Sequence, residues 1–145
     1  EIRYFQRSEG PEPSLRSPTL SALASESDYL VVCTPGGAET RHAVDAAVLE
    51  ALGPQGTLVN IARGSVVDEQ ARVQALSSGR LGAAALDVFE DGPKVPEALR
   101  ALENVVLAPH VGSFTVEARQ AMRDLAIGNL RAHFAGRPPL TAVRP

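Results

Sequence analysis

Two residues of this 145-residue chain combine a useful chemistry with a telling position: Arg63 and His110. Each follows a short apolar run, residues 57–61 and 105–108, by a few positions. A guanidinium grips a carboxylate through two parallel charge-assisted hydrogen bonds. An imidazole is the usual group for moving a proton near neutral pH. Taken singly, His110 reads as a satisfied structural histidine and Arg63 as a surface or capping charge. Together, on adjacent strand tips, they favour a site. His42, in a polar loop, and His133, on the last helix, read as structural. The single cysteine, Cys33, has no partner for a disulfide or a zinc site, and no metal centre is expected.

The elements that must carry these residues show in the pattern of apolar runs. Five stand out, at residues 2–5, 29–33, 57–61, 83–88 and 105–108. Several are apolar on consecutive positions, as expected of parallel strands covered on both faces. Helical signals fall between them. Ser17-Pro18 reads as an N-cap with proline at the first helical position, opening a helix to about Ala24. Asp45 caps a helix ending near Leu52, with Gly53 as its left-handed stop, and Asp68 caps one that Gly79 ends. The longest helix is predicted over 115–135. Its Met122, Leu125, Ala126, Leu130 and Phe134 form a stripe expected to face a core. Alternation of strand and helix calls for an α/β fold around a mostly parallel sheet. Ligands of such sheets bind beyond the C-terminal ends of the strands. That directs attention to residues 6–8, 34–37, 62–64, 87–89 and 109–113.

The bulk numbers exclude several function classes. Forty-four per cent apolar and 21% charged residues are ordinary globular composition. A net charge of -3 with scattered basic residues argues against nucleic acid, and no basic block suits a membrane surface. No apolar run is long enough to span a bilayer, and the opening residues lack a signal-peptide pattern. A cytoplasmic protein is expected.

The motifs make the chain recognisable. Leu58-Val59-Asn60-Ile61-Ala62-Arg63-Gly64-Ser65-Val66-Val67-Asp68 resembles the arginine signature of the D-isomer-specific 2-hydroxyacid dehydrogenases. Gly82-Ala83-Ala84-Ala85-Leu86-Asp87-Val88-Phe89 is similar to the family's next block, and Asn104-Val105-Val106-Leu107-Ala108-Pro109-His110-Val111-Gly112-Ser113 to its histidine block. The order and spacing agree along the whole chain. The resemblance implies a Rossmann-type doubly wound sheet and reduction of a small 2-keto acid to the D-2-hydroxy acid by a nicotinamide. Arg63 would bind the keto acid's carboxylate and His110 would give a proton to the new alcohol. The implied cofactor-binding set is Gln6, Arg7, Ser8, Cys33, Thr34, Pro35, Ile61, Ala62, Arg63, Asp87, His110, Gly112 and Ser113. Asp87 and the Ala62 backbone would hold the carboxamide. NAD-using members carry an acid at the end of the second strand. Here Gln6-Arg7-Ser8 stands instead, so NADP(H) is the expected cofactor, with NAD(H) as a lesser one. This tip and residues 112–119 are most similar to glyoxylate and hydroxypyruvate reductases. A homodimer is the family's usual state.

Two departures from the family pattern accompany the resemblance. No GxGxxG stands anywhere in the sequence, which opens at what resembles the second strand. The expectation is therefore an incomplete sheet, lacking the first βα unit and the substrate lobe. Residues 1–135 would form part of a dinucleotide-binding domain, and 136–145 a tail returning towards that lobe. A sheet of order 3-2-1-4-5-6 would then have a gap beside residues 2–5, to be filled by the rest of a longer polypeptide or by a partner. Second, the family motif Asp-Val-Phe-x-x-Glu-Pro reads Asp87-Val88-Phe89-Glu90-Asp91-Gly92-Pro93, so Gly92 stands where a glutamate would orient the histidine. Glu90 and Asp91 are close in sequence, but the register around Pro93 argues against either taking that role. The alternative expectation is a catalytically weakened sensor or assembly module that binds the nicotinamide. A formate-dehydrogenase-like enzyme shares little beyond the arginine and the histidine.

Overall fold

The computed structural model describes residues 1–8, 10 and 12–142, divided into two compact units, Glu1–His110 and Val111–Pro145. Residues 9 and 11, and 143–145 at the end of the expected tail, lie outside the described residues.

The first unit is built on four parallel strands: β1 (Tyr29–Val32), β2 (Thr57–Asn60), β3 (Ala83–Leu86) and β4 (Val105–Leu107). They lie side by side in chain order, with Val31 opposite Val59, Val59 opposite Ala85 and Ala85 opposite Val106. These are four of the five expected runs. The fifth, residues 2–5, is not a strand. Tyr4 alone pairs, its N–H donating to the Leu15 carbonyl (3.1 Å) and its own carbonyl accepting from Ser17 N–H (2.8 Å). A strand needs a neighbouring backbone along its length, and this run meets one only at a single point. Between it and β1 lies a cleft of about 1610 Å³.

Helix α1 (Leu20–Ser25) starts later than the Ser17-Pro18 signal suggests. Thr19 is its cap, the Thr19 hydroxyl accepting from Ala22 N–H at 3.0 Å. Ser17 is buried instead, its N–H donating to the Tyr4 carbonyl and its hydroxyl without a partner among the described residues. The other two caps are as expected. Asp45 accepts from Val48 N–H at the head of α2 (Ala46–Leu52), and Gly53 ends that helix at φ 76°. Asp68 accepts from Ala71 N–H at the head of α3 (Glu69–Ser77), and Gly79 follows at φ 71°. Each such cap is worth about 1 kcal/mol. A short α4 (Glu97–Arg100) leads into β4.

Leu23, Val48, Leu49, Leu52 and Leu76 of α1 to α3 bury one face of the sheet, against Leu30, Leu58, Ala84 and Leu86. A fully buried leucine such as Leu49 or Leu58 contributes about 2 kcal/mol. The other face is open at the edge strands, where Tyr29, Val31 and Val106 are each more than half exposed, and half-buried at Thr57, Val59, Ala83 and Ala85 of the central ones. The consecutive apolar positions did not, therefore, produce strands covered on both sides among the described residues.

The second unit is a single helix with a tail. In α5 (Val116–Phe134) the Thr115 hydroxyl caps Ala118 N–H at 3.1 Å, and Gly136 closes it at φ 66°. Asn129 ties the tail back, donating to the Thr141 hydroxyl (2.9 Å) and accepting from Thr141 N–H (3.2 Å). The predicted core-facing stripe is exposed: Met122, Leu125, Leu130 and Phe134 all lie open, and only Ala132 is buried. A helical period identifies the face that wants cover, and within its own unit this helix has only a short tail to supply it. Among the described residues no helix is long and apolar enough to cross a membrane.

Candidate active site at the C-terminal edge of the sheet

The loops leaving the C-terminal ends of β1, β2 and β3 are stitched together. His42 N–H donates to the Ser65 carbonyl (2.8 Å), Val44 N–H to Val66 (3.0 Å), and Asp68 N–H returns to Val44 (3.0 Å). The loop after β1 is thereby fixed to the turn Gly64–Val66 after β2. Asn60 holds the start of that turn from inside. Its amide is wholly buried, accepting from Ala62 N–H (3.0 Å) and donating to the Arg63 carbonyl (3.1 Å). An unpaired buried amide would be destabilising, so its two bonds define the path of residues 60–63. Sequence reasoning passed over Asn60; the signal was a polar residue at the end of an otherwise apolar parallel strand.

Arg63 projects from this turn into solvent. Its guanidinium donates to the Ala62 carbonyl at 2.6 Å and, among the described residues, has no carboxylate partner. Gly36 lies against it: a Cβ there would stand 2.7 Å from Arg63 Cγ. Gly64 is tighter still, with Phe89 backbone atoms only 2.0 and 2.1 Å from where its Cβ would be. The absence of side chains at these two glycines is what lets the three loops converge on Arg63.

His110 follows β4 and adopts a left-handed backbone, φ 58°, which is uncommon for a residue with a side chain. It is exposed and, among the described residues, makes no hydrogen bond or ion pair with a carboxylate. Arg63 and His110 stand on the same edge of one sheet, but not on adjacent strands as the sequence suggested. β3, which leads to Asp87, lies between β2 and β4, so two strand spacings, about 10 Å, separate their strands.

Glu90 is committed away from His110. Its carboxylate accepts from Arg41 (2.7 Å) and lies 3.1 Å from His42 Nε2, while its N–H donates to Glu69 (3.2 Å). The hydrogen bond with His42, with help from Arg41, holds the Glu90 carboxyl below the usual range. Glu69 in turn accepts from Arg72 at 3.0 Å. The Arg72 side chain is entirely buried, and desolvation lowers its pKa despite Glu69. His42, read from sequence as a bland loop residue, is thus the hub joining the loops after β1 and β3. It too has a left-handed backbone, φ 51°.

Of the expected cofactor residues, Gln6, Arg7, Ser8, Cys33, Thr34 and Pro35 line the cleft between residues 1–8 and β1. Ile61, Ala62, Arg63, Asp87 and His110 lie at the tips of β2, β3 and β4; Ala62 and Asp87 are buried there, and Asp87 N–H donates to the Asn60 carbonyl (3.0 Å). Gly112 and Ser113 belong to the second unit. Arg7 forms an ion pair with Glu39, a residue to which the sequence drew no attention. No group of three His, Cys, Asp or Glu side chains among the described residues is placed to hold a metal.

Residues 1–112 match the model of the D-isomer specific 2-hydroxyacid dehydrogenase NAD binding domain. The chain belongs to this family. It is 56% identical over 143 residues to a glyoxylate/hydroxypyruvate reductase of Arabidopsis thaliana, covering 98% of this chain and 46% of that protein. It is 55% identical to a hydroxyphenylpyruvate reductase of Plectranthus scutellarioides over the same shares. Among solved structures it is similar to an NADPH-dependent glyoxylate/hydroxypyruvate reductase of Sinorhizobium meliloti in complex with NADP and malonate. That match has a TM-score of 0.92 at 48% identity, over 98% of this chain and 45% of that one. The chain thus spans about half the length of the curated relatives it matches, and its fold is a Rossmann-type α/β domain of that family built on four parallel strands.

Proposed function

We propose that the protein reduces a small 2-keto acid of the glyoxylate or hydroxypyruvate class to the D-2-hydroxy acid with NADPH, NADH serving less well. The observation that carries this reading is Arg63. It is an exposed cation without a carboxylate partner among the described residues, on the sheet edge that also bears His110. Arg63 binds the substrate carboxylate with its unused donors and polarises the keto oxygen. His110 donates the proton that this oxygen takes up. The nicotinamide, when bound, supplies the hydride. Gln6, Arg7 and Ser8 fit its 2′-phosphate end, since the tip carries a cation and a hydroxyl and no acid. Cys33, Thr34 and Pro35 line its path, Ile61 and Ala62 flank it, and Asp87 holds the carboxamide.

A second reading, a nicotinamide-binding sensor or assembly module with little turnover, is favoured by the surroundings of His110. Gly92 supplies no carboxylate, and Glu90 is held by Arg41 and His42. One comparison decides between them: oxidation of NADPH by hydroxypyruvate and glyoxylate, with the complete gene product and its Gly92→Glu variant. Position 92 has room for a Cβ, which among the described residues would meet only the Phe89 carbonyl, at 3.4 Å. Reductase function predicts turnover by the unaltered protein, within about tenfold of the variant. Turnover by the variant alone, a gain of up to about 10⁴-fold, supports the second reading.

A further inference from the structure

The Gln6-Arg7-Ser8 tip is not electrostatically simple. Arg7 is paired with Glu39, and both side chains are about three-quarters exposed (73% and 74%). Exposed pairs of this kind contribute little to stability. The position of this one gives it a different consequence, because both partners line the same cleft.

Glu39 is held in place by its neighbours. It sits on the turn Ala38–Thr40 that follows β1. Thr40 locks that turn, its hydroxyl donating to the Pro35 (2.8 Å) and Gly37 (3.3 Å) carbonyls. Arg7 is anchored from the other side, the Arg16 guanidinium donating to the carbonyls of Gln6 (2.9 Å) and Arg7 (3.4 Å). The pair thus spans two braced loops instead of two free side chains. The hydrogen bond from Arg7, with the Arg7 charge behind it, holds the Glu39 carboxyl below its usual range.

We propose that Glu39 is a specificity-determining residue, whose carboxylate competes with a dinucleotide's 2′-phosphate for Arg7 and holds the preference for the phosphorylated cofactor in check. This rests on the cofactor assignment above. A bound 2′-phosphate takes over Arg7's donors and lies close to the displaced carboxylate. A dinucleotide with a free 2′-hydroxyl carries no charge there and meets neither effect. Removing the Glu39 charge strengthens binding of the phosphorylated cofactor alone. With one carboxylate about 5–7 Å from a phosphate in water, the effect is roughly three- to tenfold, and it shrinks as salt screens it.

The test is a fluorescence titration of NADPH and of NADH into the complete gene product and its Glu39→Gln variant, at low and high KCl. Glu39→Gln keeps the shape and most of the polarity, and the site is on the surface, so folding is not at stake. The expected result is a Kd for NADPH lower by about three- to tenfold at low salt, a smaller gain at high salt, and an unchanged Kd for NADH. Equal shifts for the two nucleotides, or no shift for NADPH, would overturn the role of Glu39 and leave the cofactor assignment standing. Failure of the unaltered protein to bind either nucleotide overturns both.

Discussion

Gly64→Ala and Gly36→Ala add the same methyl group at two points around Arg63, and the structure predicts different consequences. At Gly64 the new Cβ would lie 2.0 Å from the Phe89 carbonyl carbon, 2.1 Å from its oxygen and 2.3 Å from Glu90 N. All three are backbone atoms, so reaching ordinary contact at 3.4 Å requires the main chain after β3 to retreat by about 1.4 Å. That retreat pulls at the bond from Glu90 N–H to Glu69 and at the hold of Glu90 on Arg41 and His42. Overpacking against an unyielding neighbour costs about 3 kcal/mol. For a domain of this size that lowers Tm on the order of 10 °C. At Gly36 the nearest atoms are Cγ and Cβ of Arg63, at 2.7 and 3.0 Å. Rotation about χ1 carries Cγ away, whereas Cβ is tied to the main chain and must give by a few tenths of an ångström, so the guanidinium is displaced from the substrate position at a smaller cost in stability than at Gly64. Thermal unfolding and steady-state kinetics on the two variants separate the cases. Gly64→Ala should lose the most stability, whereas Gly36→Ala should lose less and raise KM for the keto acid by about tenfold or more. A Gly64→Ala protein melting within 2–3 °C of the parent, below even the smallest overpacking penalty, would refute the view that close backbone approach builds this edge.

Two further expectations follow from the charges behind the site. Because Glu90 has a folded pKa below its unfolded value, its stabilising contribution is complete above the ordinary carboxylate range near 4.5 and is lost as pH falls through the depressed folded value. Tm measured from neutral to acid pH should therefore fall less steeply below about pH 5 in Glu90→Gln than in the parent; parallel acid limbs would show that the His42–Glu90 contact carries no weight. Arg72 is buried with Nε and Nη1 lacking hydrogen bonds among the described residues, so Arg72→Met, which fills similar space without a charge, should leave Tm unchanged or raise it, by up to about 2 kcal/mol in stability. A marked loss in denaturant unfolding would mean that the Glu69 pair supplies more than the desolvation penalty removes.

What the sequence determined by itself is local. Asp45 and Asp68 cap α2 and α3 because a carboxylate reaches backbone donors three residues away, and Gly53 and Gly79 end them because each needs a positive φ. β1 to β4 follow from apolar runs bounded by such signals, and three co-linear motifs identified the family, with Arg63 and His110 among their residues. Interactions between distant residues decided the rest. Residues 2–5 have the composition of a strand, yet a strand exists only where a second backbone runs beside it. The α5 stripe has the period of a buried face, yet burial depends on a surface that periodicity does not supply. Glu90 lies two residues from Gly92, and the register around Pro93 already argued against its standing in for the missing carboxylate. In the folded chain it belongs to His42, 48 residues away, since short-range attraction acts on distance in space and the fold alone sets that distance.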